Sequence, residues 1–131
     1  MHTIEVAAGV VRRDDGRVLV CRRTGALEGL WEFPGGKREM GESLAQCLER
    51  ELWEELELRV TVGEALGEVI REENGRVIRL VFLSAVPQPL QAGPPALHAH
   101  GKAEWALPCE LNRYAFCPAD RAFLDQGALD G

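Results

Sequence analysis

Three glutamates, Glu51, Glu54 and Glu55, occupy positions where helix physics alone would not place them. On a helix that turns about 100° per residue, Glu51 and Glu55 share the stripe that begins with Leu44 and Leu48. Two negative side chains four residues apart repel each other by about 0.2–0.5 kcal/mol, and carboxylates near a helix C-terminus also oppose the helix dipole. A segment that violates several local rules is expected to be functional. A divalent cation bound among these carboxylates would attract each of them, so that their closeness would become favourable.

The residues before this segment add two features that suit such a cation. Pro34-Gly35-Gly36 brings bare backbone close to a ligand, and a backbone carbonyl there is a hard oxygen donor. A site of carboxylate and carbonyl oxygens suits Mg²⁺ or Mn²⁺ and disfavours zinc. Arg50 and Glu42 are expected to form an ion pair that fixes the loop to the helix and orients Glu51. The competing interpretation is a solvated acidic helix face, and the spacing of the whole segment favours function over it.

The elements that position these residues can be predicted from capping and turn patterns. Ser43 followed by Gln46 predicts a capping box and a helix from about Leu44 to Glu57. Asp14-Asp15-Gly16 between two apolar runs predicts one β-hairpin, and Asn74-Gly75 predicts a second between residues 60–72 and 76–83.

The remainder of the chain predicts one further strand and one further helix. Residues 87–95, with four prolines, are expected to form an irregular connection, and a short strand is expected around Trp105. Pro118 suits the first turn of a closing helix that presents Phe123 and Leu124 to the core. No domain boundary is visible, so residues 1–131 are expected to form one domain, a mixed sheet with one helix on each face.

Composition excludes several classes of function. A formal net charge of −6 argues against a nucleic-acid polymer as partner, because that contact needs a basic surface. No apolar run approaches the length of a membrane span and the N-terminus lacks signal-peptide features, so an intracellular, cytoplasmic protein is expected. The four cysteines lack zinc-like spacing and are interpreted as free thiols. His98-x-His100 has no second ligand cluster nearby, which disfavours a metal site there.

The full spacing, from Gly36 and Glu42 to Arg50-Glu51 and Glu54-Glu55, resembles the Nudix box, G-x5-E-x7-R-E-U-x-E-E-x-G-U, where U is aliphatic. Glu57 departs from it, standing where the family has a glycine that ends the helix in a left-handed conformation. A glutamate there should cost about 1 kcal/mol, or the helix should end differently. The chain is most similar to the MutT-like branch. The resemblance implies an α/β/α sandwich with a mixed β-sheet between helices, and Mg²⁺-dependent hydrolysis of a nucleoside diphosphate linked to another group.

The resemblance also implies roles for particular residues. The carbonyl of Gly35 and the carboxylates of Glu51, Glu54 and Glu55 are expected to ligate Mg²⁺ or Mn²⁺, and Glu104 matches a loop glutamate that approaches the metals. Glu51 or Glu54 is expected to accept the proton of the attacking water, with Glu104 as an alternative. Arg50 is expected to support these catalytic carboxylates.

Base recognition is the part that the resemblance leaves open. MutT-like proteins use a pocket whose residues match Arg23, Phe33, Arg76, Ile78 and Asp120. The family's 8-oxo-dGTP specialist has asparagine at the last position, which both donates and accepts hydrogen bonds, whereas an ionised aspartate only accepts and suits an amino group such as N4 of cytosine. Alternatively, Asp120 caps a helix N-terminus, and Phe33 and Ile78 taken alone are ordinary core residues.

The expected activity is therefore a Mg²⁺-dependent nucleoside triphosphate pyrophosphohydrolase that releases a nucleoside monophosphate and pyrophosphate. It would sanitise modified or oxidised nucleotides, such as 8-oxo-dGTP or (5-methyl-)dCTP and CTP. The similarity of Gly75-Arg76-Val77-Ile78 and His98-Ala99-His100 to the CTP pyrophosphohydrolase subgroup points toward cytosine. The partner is a small-molecule nucleoside triphosphate, and the protein is expected to be a monomer or homodimer. The alternative is a catalytically weak Nudix-fold regulator that binds nucleotides.

Overall fold

The computed structural model of the chain describes residues 2–91 and 93–129. In these residues four strands precede the first α-helix, and three more strands and a 3₁₀ helix at Pro108–Arg113 precede the second. The strands are β1 (His2–Val11), β2 (Val18–Arg23), β3 (Trp31–Glu32), β4 (Gly35–Lys37), β5 (Val60–Glu73), β6 (Arg76–Pro87) and β7 (His100–Ala106), and the α-helices are α1 (Leu44–Leu56) and α2 (Pro118–Leu124).

The strands form two sheets, in the orders β4-β1-β6-β5 and β3-β2-β7. The turn predicted at Asp14-Asp15-Gly16 is present, since the Gly16 N–H donates to the Arg13 carbonyl at 2.9 Å. The paired hairpin predicted around it is wrong. In the part of the chain described, one isolated bridge joins these segments, between Arg12, just after the end of β1, and Val18 of β2. The reason is that β4 and β6 occupy both edges of β1, so β2 joins the other sheet.

The second hairpin is confirmed. Strands β5 and β6 pair in antiparallel fashion up to Glu73 and Arg76. Asn74 and Gly75 have φ angles of 50° and 76°, and two successive left-handed residues form the turn that matches the twist of a two-residue hairpin.

Helices α1 and α2 cover opposite faces of the strands. Because side chains alternate along a strand, Ala7 of β1 and Val81 of β6 pack with α1. Their neighbours Ala8 and Phe82 pack on the other face, where α2 contributes Phe123. The predicted α/β/α arrangement with a mixed sheet is confirmed, although two sheets share the central layer. Phe123 and Leu124 of α2 are buried as expected.

Both ends of α1 have defined caps. The Ser43 hydroxyl accepts from the Gln46 N–H and the Gln46 side chain accepts from the Ser43 N–H, which confirms the capping box. At the other end Glu57 has φ 50° and ψ 39°, and its N–H donates to the carbonyls of Leu52 and Trp53. The glutamate therefore adopts the left-handed conformation that glycine would adopt more easily.

Two further expectations concern the cysteines and the membrane. All four cysteines are free, as predicted. Among the described residues no helix has the length and apolar character needed to cross a membrane.

Candidate active site

The acidic half of α1 lies against the glycine strand β4. The side chains of Glu51 and Glu55 are 19% and 13% exposed, whereas that of Glu54 is 50% exposed. A Cβ at Gly36 would lie 2.3 Å from the Glu51 carboxyl carbon, which is closer than such atoms approach. Glycine is therefore required at position 36 for the Glu51 carboxylate to occupy its place beside the backbone.

Arg50 holds these carboxylates through most of its donors. Its Nε and Nη2 bind the two oxygens of Glu42 at 2.7 and 3.0 Å, which confirms the predicted ion pair. Its Nη1 binds Glu51 at 2.9 Å and Glu54 at 3.0 Å, and its Nη2 also donates to the Lys37 carbonyl. Because guanidinium groups favour such forked contacts, Arg50 fixes the loop before α1 and two of the glutamates at once.

Glu55 is the member of the group whose charge is least well satisfied by protein contacts. Burial raises the pKa of its carboxyl group, and the adjacent Glu51 and nearby Glu32 raise it further. By contrast, the bonds from Arg50 lower the pKa of Glu42 to about 2. An ionised Glu55 would therefore be favoured by a positive charge beside it.

Two residues to which the sequence analysis assigned no part in this group, Glu32 and His100, lie beside Glu55. His100 Nε2 is 2.8 Å from Glu32 and 3.8 Å from Glu55. The exposed His98 instead pairs with Glu57, so the two histidines contact different partners. The sequence signal for Glu32 is its position shortly before Pro34-Gly35-Gly36.

Glu104 is not brought to this group. On β7, Ala103 and Trp105 face α1, and the intervening Glu104 faces the opposite side, as strand alternation requires. Its carboxylate accepts a hydrogen bond from the Tyr114 hydroxyl at 3.1 Å.

A cleft of about 240 Å³ adjoins the glycine strand. It brings together three of the predicted base-pocket residues, Arg23, Phe33 and Asp120, with Gly35 and Gly36. Glu32 also lines it, and so does a wall from β1, β4 and β6 consisting of Val6, Ala7, Ala8, Lys37 and Leu80. The Phe33 ring itself is buried in the core, stacked on Phe116 at 5.4 Å, so the core interpretation holds for most of its surface.

Asp120 is buried at the cleft wall, and its Oδ1 accepts a hydrogen bond from the Phe33 N–H at 3.0 Å. The alternative that it caps a helix N-terminus is wrong, because α2 begins at Pro118 and its N-cap is Cys117. Burial raises the pKa of Asp120 to about 7, against the opposing effect of the Phe33 N–H. Near neutral pH both protonation states of this carboxyl group are therefore populated.

The two remaining predicted base-pocket residues lie farther along β6. Ile78 is half-buried opposite Ile4, and Arg76 is exposed at the hairpin end opposite His2. Both lie on the strand face that carries Leu80, the β6 residue that lines the cleft. They extend the cleft wall outward rather than forming part of it.

Comparison with known proteins assigns this arrangement to a family. Residues 2–127 match the model of the NUDIX domain. The chain belongs to the Nudix family. The Nudix proteins it resembles include the CTP pyrophosphohydrolase of Escherichia coli K12, which is 41% identical over 127 residues, or 95% of this chain and 91% of that protein.

Two more Nudix relatives support the assignment. The 8-oxo-dGTP diphosphatase of Proteus vulgaris is 38% identical over 81 residues, which cover 60% of this chain and 72% of that protein. The solution structure of the E. coli ORF135 protein superposes with a TM-score of 0.85 at 40% identity, covering 100% of this chain and 93% of that one. The chain is a Nudix hydrolase of the nucleotide diphosphatase class.

Nudix hydrolases generally use a divalent metal, and the donors on α1 fit one. Glu51 and Glu55 offer adjacent carboxylates beside bare glycine backbone, and the raised pKa of Glu55 marks a place where a cation would be favoured. Within residues 2–91 and 93–129, no three His, Cys, Asp or Glu side chains already converge as a metal site. Glu54 binds the same Nη1 of Arg50 that Glu51 binds.

Proposed function

We propose that this Nudix hydrolase is a Mg²⁺-dependent nucleoside triphosphate pyrophosphohydrolase that acts on cytosine nucleotides and also accepts 8-oxo-dGTP. One observation carries the proposal: Gly35 and Gly36 line the cleft on one side, and Gly36 abuts the Glu51 carboxylate on the other. A base in the cleft would therefore leave its phosphates close to the acidic half of α1.

In this proposal Glu51, Glu54, Glu55 and the Gly35 carbonyl hold Mg²⁺, or Mn²⁺ in its place. The metal, when bound, neutralises the triphosphate and activates water for attack on phosphorus. Glu51 or Glu54 accepts the proton of the attacking water. Arg50 keeps Glu51 in place through its Nη1 bond while Glu42 holds the arginine. Glu104 has no part in this mechanism, because its carboxylate binds Tyr114 on the other face.

Asp120 supports the proposed breadth of substrate. Its ionised carboxylate accepts hydrogen bonds and suits the N4 amino group of cytosine, whereas its neutral form both donates and accepts, as asparagine does. With the pKa raised to about 7, one residue offers both patterns at neutral pH. The 41% identity to a CTP pyrophosphohydrolase over 95% of the chain favours cytosine as the main base.

The test of substrate is pyrophosphate release from CTP, dCTP, 5-methyl-dCTP and 8-oxo-dGTP, with Mg²⁺ and with EDTA. We expect release with Mg²⁺, abolished by EDTA, with the cytosine nucleotides preferred. The Asp120→Asn variant should shift the preference toward 8-oxo-dGTP, because asparagine keeps a donor at all pH values. Tight nucleotide binding without pyrophosphate release would contradict the proposal and favour the regulator.

The test of mechanism is Glu51→Gln. Glutamine keeps the shape of the side chain but cannot take a proton or supply a full negative charge, so kcat should fall by at least about 10²-fold while the protein remains folded. Glu49→Gln is the matched control, since Glu49 lies on the exposed face of the same helix. Normal turnover in the Glu51 variant would remove α1 from the mechanism.

A further inference from the structure

A bulge in the second sheet determines where His100 points. On β7, Ala103 faces α1, and strict alternation would turn residue 100 to the opposite side. The register between β2 and β7 shifts at this point, so that Arg22 pairs with Lys102 but Arg23 pairs with His100, and Gly101 is the extra residue. An extra residue reverses the face on which the residue beyond it lies, and here it brings the buried His100 imidazole to the α1 side.

The imidazole has one partner that it can bind well. Its Nε2 lies 2.8 Å from a Glu32 oxygen, whereas the 3.8 Å to Glu55 is too long for a hydrogen bond. Its Nδ1 is buried without a hydrogen-bond partner among the described residues. A proton on Nδ1 would be buried without an acceptor, so the arrangement fits the tautomer in which Nε2–H donates to Glu32.

Glu32 connects His100 to a residue of the cleft. Its second oxygen accepts from Arg23 Nη1 at 2.8 Å. Arg23 Nε donates to the Ala26 carbonyl at 2.9 Å, so two contacts fix the plane of the guanidinium group. Arg23 itself lines the cleft. Its remaining N–H donors are therefore held in one direction, as bidentate recognition of a nucleotide requires.

We propose that His100 is a positioning residue for nucleotide binding: it holds Glu32, and Glu32 holds the Arg23 guanidinium in the orientation that receives the nucleotide. This inference rests on the proposed function, because it assigns the nucleotide to the cleft. It also predicts where the effect of a substitution appears. Arg23 binds the nucleotide away from the reacting phosphorus, so its loss should weaken substrate and transition state alike and raise KM with little change in kcat.

The decisive comparison is His100→Gln with His100→Leu. The amide nitrogen of glutamine reaches about the position of Nε2 and keeps the hydrogen-bond donor. Losing Nδ1 removes no hydrogen bond, because Nδ1 forms none with the described residues. Leucine fills the site without a donor. With CTP and saturating Mg²⁺ we expect the leucine variant to raise KM about 5- to 30-fold and change kcat less than about 3-fold, with the glutamine variant close to wild type. His98→Leu is the matched control and should leave KM unchanged.

Glu32→Gln provides a second route if the leucine variant does not fold. The variant weakens the bond to Arg23, so it should raise KM in the same way, and adding His100→Gln to it should cause no further rise. Four results would overturn the proposal: an unchanged KM in a folded His100→Leu variant, equal KM defects in the glutamine and leucine variants, an unchanged KM in Glu32→Gln, or a fall in kcat at constant KM. The last result would mean that His100 acts on Glu55 instead.

Failure of the proposed function can be told apart from failure of this inference. If the wild-type protein releases no pyrophosphate from any nucleotide with Mg²⁺, the proposed activity is wrong. The same variants are then compared by calorimetric titration with CTP. A Kd raised about 5- to 30-fold in the leucine variant and unchanged in the glutamine variant supports the positioning role, and equal Kd values in wild type and the leucine variant overturn it.

Discussion

Arg50 is the residue on which the acidic end of α1 depends. It binds Glu42, Glu51 and Glu54 simultaneously, and those three carboxylates would otherwise repel one another across one loop and two helical turns. A lysine carries the same charge as a single point donor and cannot make these forked contacts. The identity of this side chain, and not only its charge, therefore determines the geometry of the group.

Asp120 leads to a prediction about pH. Its pKa is raised in the folded state by burial, so folding favours the protonated form. Its contribution to stability is therefore full below the unfolded-state pKa and is lost as pH rises through about 7. We expect wild type to lose on the order of 2 kcal/mol of unfolding free energy between pH 5 and pH 8.5, relative to Asp120→Asn.

Urea unfolding of both proteins at the two pH values, in EDTA, measures this difference. Asparagine is the appropriate replacement because its side-chain oxygen can still accept the hydrogen bond from the Phe33 N–H. Equal pH dependence in the two proteins would show that Asp120 is ionised throughout this range.

At the scale of single elements, α1 is a helix whose two ends follow different rules. Its N-terminus has the reciprocal capping box formed by Ser43 and Gln46. Its C-terminus has a left-handed glutamate in a position that favours glycine. The exposed side chain of Glu57 pairs with His98, an exposed contact of a kind that contributes little to stability.

Glu57→Gly should therefore stabilise the protein. Removing Cβ relieves the left-handed strain, and we expect a gain of about 0.5–1 kcal/mol in unfolding free energy. Glu57→Ala is the control, because alanine keeps the strain and loses only the His98 contact. Denaturant titration of the three proteins should rank glycine above wild type and alanine slightly below it. A glycine variant no more stable than the alanine variant would mean that the conformation carries no strain.

At the scale of the whole molecule, the two faces of the fold carry different parts of the site. The α1 face supplies the acidic side chains, and the α2 face supplies Asp120 and the aromatic wall around Phe33. Strand β4 lies between them, because Gly35 and Gly36 pair with β1 and line the cleft, and Gly36 also abuts Glu51. Folding therefore brings like charges together before any substrate binds, at a cost that a cation would offset.

Because the repulsion between these carboxylates destabilises the folded state, we predict that Mg²⁺ stabilises it. A ligand that binds only the folded protein adds RT ln(1 + [L]/Kd), so about 10 mM Mg²⁺ at a Kd of about 1 mM would add about 1.4 kcal/mol and raise Tm by about 5 °C. The Glu51→Gln variant should respond less than wild type, and Glu49→Gln should respond fully. Thermal unfolding in Mg²⁺ and in NaCl of matched ionic strength measures this, and an equal response in all three proteins would place the cation elsewhere.

The sequence by itself determined the features that short-range physics governs. The cap at Ser43, the turn at Asn74-Gly75 and the Arg50–Glu42 pair each involve residues close in the chain, whose preferred conformations are fixed locally. The acidic stripe of α1 arises from helical periodicity in the same way. These features were sufficient for the family resemblance and for the α/β/α fold that it implies.

The tertiary structure alone decided the features that depend on distant partners. Strand β1 pairs with β6 and not with its sequence neighbour β2, because strands from the whole chain compete to pair with each edge of a strand. A single extra residue at Gly101 turns His100 toward Glu32, and ordinary alternation turns Glu104 away from α1. The burial that raises the pKa of Asp120 likewise depends on how α2 packs against the sheet. Strand register and burial are properties of the assembled molecule, so no local pattern in the sequence encodes them.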